Sequence, residues 1–129
     1  MSFVPDELFK NLGSLTKYDA DSLDFGVVKV DDTGKVLLFN NYEPELGKEP
    51  TEAPIGKNFF TQIAPCTNNK IFRGVFEDGV RNGSLNEEFI YTFTYIIRPT
   101  NVSIHLYKSS EDGSNWIFVK KFIYRRMQN

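Results

Sequence analysis

The segment Ile55-Gly-Lys-Asn-Phe-Phe-Thr-Gln-Ile-Ala-Pro-Cys-Thr67 contains the only cysteine of the 129-residue chain. Asn58 is a good N-cap residue and precedes two phenylalanines, so this segment predicts a short helix. Pro65 fixes its own φ angle and favours an extended conformation at Ala64. Cys66 is therefore expected to lie on a bent, rigid segment.

From the residues alone, Cys66 has two interpretations. A lone cysteine is most often a small buried apolar side chain, and no sequence signal makes this thiol reactive. It is also the one side chain that could hold a ligand as a thioester. A cysteine-nucleophile enzyme would need a base, and no motif pairs Cys66 with His105, the single histidine. His105 is better interpreted as a satisfied or exposed strand residue than as a metal ligand. We expect a protein that is not an enzyme.

The composition limits the other classes. The chain is long enough for one domain with a hydrophobic core. Its net charge of -2 gives no electrostatic argument for binding nucleic acid or an anionic membrane. The first residues lack the regions of a signal peptide, and no apolar run is long enough to span a bilayer. A single cysteine excludes an internal disulfide and fits a reducing compartment. These features predict a cytoplasmic protein.

The first part of the chain predicts a helical cap followed by a hairpin. In residues 5–23, one apolar face consists of Leu8, Phe9, Leu12 and Leu15. Gly13-Ser14 makes that helix short or broken, and residues 19–23 are expected to add another turn. Two strands, residues 25–30 and 35–39, flank a turn. Residues 40–54, with three prolines and a glycine, predict short turns and loop.

The second part predicts a helix and three strands. Apolar residues recur at helical spacing before a stop at Gly83; they are Ile71, Phe72, Val75, Phe76 and Val80. In a long strand over residues 85–97, one face carries Phe89, Tyr91, Phe93, Tyr95 and Ile97. Residues 99–101 predict a turn, and residues 102–107 and 115–124 the last two strands. The prediction is an α+β fold with one five-stranded sheet, helices on one side and an N-terminal cap.

The segment around Cys66 resembles the chromophore-attachment segment of the photoactive yellow protein family. The motifs are Gly56-Lys-Asn-Phe-Phe60 and Ala64-Pro-Cys-Thr67, and the similarity covers residues 25–120. The resemblance implies a PAS fold whose antiparallel sheet has five strands. It implies a cap over residues 1–24, a PAS core over residues 25–124 and a tail over residues 125–129. It also implies 4-hydroxycinnamic acid (p-coumaric acid) held as a thioester on Cys66.

The resemblance assigns roles to further residues. Glu43 matches the buried acid that hydrogen-bonds the phenolate, although from the residues alone it is an ordinary solvated side chain. Phe39 stands where the family usually has a tyrosine that donates a second bond, and Ile97 stands where the best-known members carry methionine. Either Lys48 or Glu49 takes the place of the arginine that covers the ring. The pocket is expected to include Val28, Phe59, Ile63, Ala64, Pro65, Thr67, Tyr91, Phe93, Tyr95 and Val119.

The function that the resemblance implies is that of a blue-light photoreceptor. Light isomerises the bound group, and a proton leaves Glu43. Partial unfolding then relieves the cost of the buried Glu43 carboxylate, and the cap over residues 5–23 is the element most easily released. An unnamed signalling protein is the expected partner, and the chain is expected to be a monomer in the dark, with a dimer as the alternative. A PAS module that binds a ligand or protein without photochemistry is the second hypothesis. An engineered fluorogen-binding tag is a third, but such tags replace the cysteine.

Overall fold

The computed structural model of the protein describes residues 3–40, 54–94 and 99–121. Five strands lie in this part of the chain: β1 (Gly26–Val30), β2 (Val36–Phe39), β3 (Asn86–Phe93), β4 (Thr100–Lys108) and β5 (Asn115–Lys121). They form one antiparallel sheet in the order β2-β1-β5-β4-β3. The prediction of an α+β fold with one five-stranded antiparallel sheet is confirmed.

The helical segments before and after the hairpin are short. They are α1 (Asp6–Lys10), a 3-10 turn (Leu12–Ser14), α2 (Lys17–Asp21), a π-helical turn (Phe59–Ile63), a second 3-10 turn (Pro65–Thr67) and α3 (Arg73–Asn82). The cap is therefore helical and broken near Gly13, as predicted. Its second helix begins earlier than predicted because Thr16 and Asp19 form a capping box. None of the helices in the described ranges is both long and apolar enough to cross a bilayer.

Two predictions about element boundaries are wrong. Ile71 is 67% exposed and precedes α3, so it does not belong to the buried face of that helix. Thr100 and Asn101 are the first two residues of β4, where a turn was expected, because they pair with Phe93 and Thr92 of β3. Gly83 does end α3 in the left-handed conformation, with φ of 75°. The predicted strand residues 95–97 and 122–124 lie outside the described residues.

The sheet separates two hydrophobic cores, because successive side chains of a strand point to opposite faces. The core on the side of α3, which we call the helix core, contains Val28, Val30, Val36, Phe59, Phe60, Ala64, Phe72, Phe76, Leu85, Phe93, Val102, Ile104, Leu106, Ile117 and Val119. The core under the N-terminal helices, which we call the cap core, contains Val4, Leu12, Ala20, Phe25, Val27, Trp116 and Phe118. Both faces of the sheet are thus covered, and among residues 3–40, 54–94 and 99–121 the cap alone covers one of them.

Asn58 fixes the start of the segment that leads to Cys66. Its Oδ1 accepts hydrogen bonds from the backbone N–H groups of Phe60 (2.9 Å) and Thr61 (3.2 Å), as the predicted N-cap requires. Its Nδ2 donates to the backbone carbonyl of Thr33 (2.9 Å), in the turn between β1 and β2. At Gly34 of this turn, a Cβ atom would lie 2.8 Å from the Phe60 ring. The π-helical turn therefore packs directly on the hairpin.

Helix α3 contacts the start of β3 through Gly79. A Cβ atom at Gly79 would lie 2.7 Å from the Cβ of Leu85 and 2.6 Å from its Cδ1, and both residues are buried. We expect Gly79→Ala to lower the free energy of unfolding, because overpacking costs about 1–3 kcal/mol and exceeds the gain in helix propensity of roughly 0.8–1 kcal/mol. Urea unfolding checks this. Gly74→Ala is the matched control, because its Cβ would meet Lys70 Cβ at 3.6 Å and the Asn69 carbonyl oxygen at 3.8 Å, both at ordinary contact distance; equal effects of the two substitutions would contradict the prediction.

His105 is a buried residue of β4 on the cap side of the sheet. Its ring lies 5.1 Å from the Phe9 ring of α1 and 6.3 Å from the Phe118 ring, centroid to centroid. Its Nε2 is 2.6 Å from Asn86 Oδ1, and its Nδ1 is 3.9 Å from a carboxylate oxygen of Glu88. Of the two interpretations left open for this histidine, the satisfied strand residue is confirmed.

Burial lowers the pKa of His105 below its ordinary value of 6.5, although the Glu88 carboxylate acts in the opposite direction. The neutral ring is thus favoured in the folded state, while the unfolded chain takes up the proton more readily. We expect the free energy of unfolding to fall as the pH drops below about 6.5. His105→Gln, which does not titrate, should weaken this dependence in urea unfolding measured from about pH 8 to about pH 5. If His105→Gln shows the same pH dependence as the wild type, His105 is not the group that causes it.

Candidate functional site

Cys66 lies at the middle of the 3-10 turn that follows the π-helical turn. Ala64 has φ of -134° and ψ of 71°, which lies outside the extended conformation that was predicted, and Pro65 begins the turn. The backbone N–H and the hydroxyl of Thr67 both donate to the carbonyl of Ala64, at 2.9 and 2.7 Å. Thr67 is fully buried and Cys66 is half-buried. The prediction that Cys66 lies on a bent segment is confirmed.

Most of the predicted pocket residues that the structure describes lie together at this side of the sheet. Val28, Phe59, Ala64, Phe93 and Val119 are buried members of the helix core, and Phe39, Ile63, Cys66 and Tyr91 are half-buried and pack against it. Tyr91 contacts aromatic neighbours on both sides, because its ring centroid lies 5.1 Å from that of Phe72 and 6.2 Å from that of Phe93. The thiol therefore adjoins a wall of aromatic and branched aliphatic side chains.

The remaining predicted residues are Pro65 and five that lie outside the described part of the chain. Pro65 is exposed to solvent, so it shapes the turn and does not form part of the apolar wall. Glu43, Tyr95 and Ile97 lie outside the described residues, as do Lys48 and Glu49. The roles predicted for those five residues remain predictions.

A hydrogen-bond network that the sequence did not predict surrounds the backbone carbonyl of Cys66. The Tyr91 hydroxyl donates to this carbonyl oxygen at 2.5 Å, and Asn69 Nδ2 lies 3.2 Å from the same oxygen. Asn69 Nδ2 is also 2.6 Å from the Tyr91 hydroxyl, and Asn69 Oδ1 accepts from the backbone N–H of Phe72 at 3.0 Å. The one sequence signal that could have indicated Asn69 is the tendency of an asparagine side chain to bond a backbone N–H a few residues away.

A second unpredicted network joins the end of β2 to the cap. The side chain of Asn40 is buried; its Oδ1 accepts from the N–H of Val27 at 2.7 Å. Its Nδ2 donates to the carbonyls of Ala20 (2.7 Å) and Phe25 (2.9 Å). The preceding carbonyl, of Phe39, accepts from Lys17 Nζ at 3.1 Å. The strand end that brings Phe39 to the helix core is thus bonded to α2.

The surroundings of Cys66 favour binding over nucleophilic catalysis. Cys66 packs on the helix core, whereas His105 contacts Phe9 and Phe118 on the opposite face, so the sheet separates the thiol from the single histidine. In residues 3–40, 54–94 and 99–121, no three metal-binding side chains come together. A ligand bound at Cys66 would lie beside the aromatic side chains of the helix core.

Comparison with known proteins identifies relatives over nearly the full length. The chain is 40% identical to the photoactive yellow protein of Halochromatium salexigens over 119 residues, which cover 92% of this chain and 95% of that protein. It is 41% identical to the photoactive yellow protein of Rhodothalassium salexigens over 122 residues, with 94% and 97% covered. No model of a protein family matches the chain.

A solved structure agrees with these sequence matches. The fold is similar to the photoactive yellow protein domain from the sensor histidine kinase Ppr from Rhodospirillum centenum, with a TM-score of 0.80 and 34% identity. The match covers 88% of this chain and 99% of that domain. This likeness confirms the predicted PAS-like fold. Because the chain is 40% and 41% identical to two photoactive yellow proteins over more than nine tenths of each sequence, it belongs to the photoactive yellow protein family.

Proposed function

We propose that the protein is a blue-light photoreceptor that holds 4-hydroxycinnamic acid (p-coumaric acid) as a thioester on Cys66. The observation that carries this proposal is the position of the thiol, half-buried against an aromatic wall in a chain of this family. Family membership supports the photoreceptor role, and the chemistry at Cys66 is our extension of it. The bound group would supply light absorption and a double bond that isomerises.

The chain's own residues fit such a group. Val28, Phe93 and Val119 are apolar members of the helix core, and an aromatic ring packed against them would be withdrawn from water, which is favourable. Cys66 is the second residue of its 3-10 turn, and the first N–H groups of a helical turn have no partner within it. The N–H of Cys66 is therefore suited to donate to the thioester carbonyl. A phenolate at the far end would require a donor, and we assign that role to Glu43 in its protonated form.

The proton of Glu43 is the centre of the proposed signalling step. In the dark, Glu43 holds the proton and donates a hydrogen bond. After isomerisation it releases the proton toward the phenolate oxygen and becomes a carboxylate. A buried ion without a partner costs several kcal/mol even after relaxation, which is comparable to the stability of a small domain. Rearrangement that brings water to Glu43 relieves this cost, and a charge change thereby drives an order–disorder change.

The cap is the element that we expect to be released. Helices α1 and α2 have five residues each, and helices this short are not stable alone in water. Their attachment to the sheet includes the bonds from Asn40 to Ala20 and from Lys17 to the Phe39 carbonyl. Both bonds start or end at the strand end nearest Glu43 in sequence. Release of the cap would uncover Trp116 and Phe118, an apolar surface for a signalling partner that the chain does not identify.

An intact mass and an absorption spectrum test the proposed function. After addition of activated 4-hydroxycinnamate, the mass should rise by one coumaroyl group, and a visible band should appear that blue light bleaches and darkness restores. A colourless protein of unchanged mass would instead support the second hypothesis, a PAS module without photochemistry.

The side chain at position 39 should influence the colour. Phenylalanine cannot donate a hydrogen bond, so Phe39 leaves the phenolate with one side-chain donor fewer than a tyrosine would provide. Excitation moves charge away from the phenolate, so a donor there stabilises the ground state more than the excited state. We expect the dark band of the wild type to lie to the red of the band of Phe39→Tyr. Paired dark spectra measure this, and an unshifted or red-shifted Phe39→Tyr band would show that another group already donates.

A further inference from the structure

The carbonyl of Cys66 is held by two side chains from different parts of the fold. Tyr91 comes from the middle of β3, and its hydroxyl donates to this oxygen at 2.5 Å. Asn69 comes from the loop before α3; its Nδ2 donates to the same oxygen and to the Tyr91 hydroxyl. Tyr91 is half-buried and contacts the Phe72 ring, so it cannot turn freely. The peptide group of Cys66 is thus fixed to both the sheet and the helix.

Both N–H groups of the Asn69 side-chain amide donate hydrogen bonds. Its two N–H groups serve the Cys66 carbonyl and the Tyr91 hydroxyl, while Oδ1 accepts from the N–H of Phe72. The acceptor side has a local role at the start of α3. On the donor side, one bond is local, to the Cys66 carbonyl three residues earlier, and the other reaches Tyr91 of β3; both of these partners belong to the site.

We propose that Asn69 is a positioning residue of the photoreceptor, which with Tyr91 keeps the backbone of Cys66 still while the attached group changes shape. This inference rests on the proposed attachment at Cys66. When the double bond isomerises, either the ring or the attachment point must move. An attachment point fixed by two donors leaves the motion to the ring, and the strained product then returns to the dark state more readily.

The structure offers a variant that separates the two sides of Asn69. Asn69→Asp keeps an oxygen for the N–H of Phe72 at the start of α3, where a negative charge is favourable, but it cannot donate. Tyr91→Phe removes the other donor and keeps the ring. Asn68→Ala is the matched control, because Asn68 is adjacent and bonds to Arg73 but does not contact the Cys66 carbonyl.

The first measurement is made on the protein without a bound group. Because the chain has one cysteine, 13C at the cysteine carbonyl labels one peptide group. Loss of a donor raises the stretching frequency of a carbonyl, so the labelled infrared band should move to higher wavenumber in Asn69→Asp and in Tyr91→Phe. It should stay in place in Asn68→Ala. An unmoved band in both site variants would overturn the inference.

The second measurement is the return to the dark state after blue light in the protein loaded with activated 4-hydroxycinnamate. We expect both site variants to recover about two- to tenfold more slowly than wild type, the factor that corresponds to one neutral hydrogen bond. The double variant should be less affected than the product of the single effects, because the two side chains share one network. Recovery of Asn69→Asp that is as fast as that of Asn68→Ala, or faster than wild type, would overturn the inference.

The intact mass separates the two ways in which this experiment can fail. An adduct on every variant with unchanged recovery leaves the proposed function standing and removes Asn69 from it. The absence of an adduct on the wild type overturns the proposed function and the positioning role together.

Discussion

Cys66→Ala is expected to abolish both the covalent adduct and the visible colour. The chain has no second cysteine, and no other side chain of this site forms a thioester. The alanine variant should still fold, because Cys66 is half-buried and the bonds from Thr67 to the Ala64 carbonyl do not involve the thiol. The measurements are the intact mass and the absorption spectrum after addition of activated 4-hydroxycinnamate, with circular dichroism to confirm folding.

Thr67→Val is the matched control for this experiment. It removes the buried hydroxyl next to the cysteine and keeps the thiol, so the adduct should still form, although the turn loses one hydrogen bond to the Ala64 carbonyl. Colour that survives in Cys66→Ala would show that the ligand is held without a covalent bond. Such a result would exclude the thioester while leaving the aromatic wall as a binding surface.

Asn40→Ala is expected to cause the largest loss of stability among the substitutions considered. The change leaves the N–H of Val27 and the carbonyl of Phe25 without their side-chain partner, while the carbonyl of Ala20 keeps its backbone bond from the N–H of Leu23. A buried polar group that loses its partner costs roughly 1–3 kcal/mol, so the free energy of unfolding should fall by about 3 kcal/mol or more. Because Ala20 belongs to α2, the cap should also be cleaved faster by protease in the dark.

The control for this prediction is Asn11→Ala. Asn11 also donates from its side chain to a backbone carbonyl, that of Glu7 at 2.9 Å, but it is exposed. Its replacement should change the free energy of unfolding by less than about 0.5 kcal/mol. Urea unfolding and limited proteolysis measure both variants. Equal effects of the two substitutions would mean that Asn40 is not the residue that joins the cap to the sheet.

The arrangement of elements could largely be predicted from the sequence because it depends on local patterns. The alternation of Phe89, Tyr91 and Phe93 indicated a strand with one buried face, and the structure has it. Gly83 indicated the end of α3, and Asn58 indicated the start of the turn before Cys66. These signals act over a few residues, so backbone propensity and apolar period are sufficient to detect them.

The polar networks could not be predicted, because they join residues that are distant in sequence. Asn40 bonds to Ala20, and Asn69 bonds to Tyr91 twenty-two positions later. From the sequence alone, such residues are interpreted as ordinary turn or loop asparagines. The same limit applies to Pro65, which the resemblance placed in the pocket, whereas the structure exposes it to solvent. The resemblance named the cysteine, but these partners became visible only in three dimensions.

The division of β1 and β5 between two cores affects how such a protein can be modified. Val27 and Val28 are neighbours in the chain, yet one packs under the cap and the other beside the site, and Phe118 and Val119 repeat this relation. Substitutions on one set can therefore alter the surroundings of Cys66, while substitutions on the other alter how firmly the cap is held. Natural variation and laboratory evolution can therefore change these two properties almost independently. The exception is the end of β2, where Phe39 packs on the helix core and Asn40 bonds to the cap, so that a single insertion would disturb both.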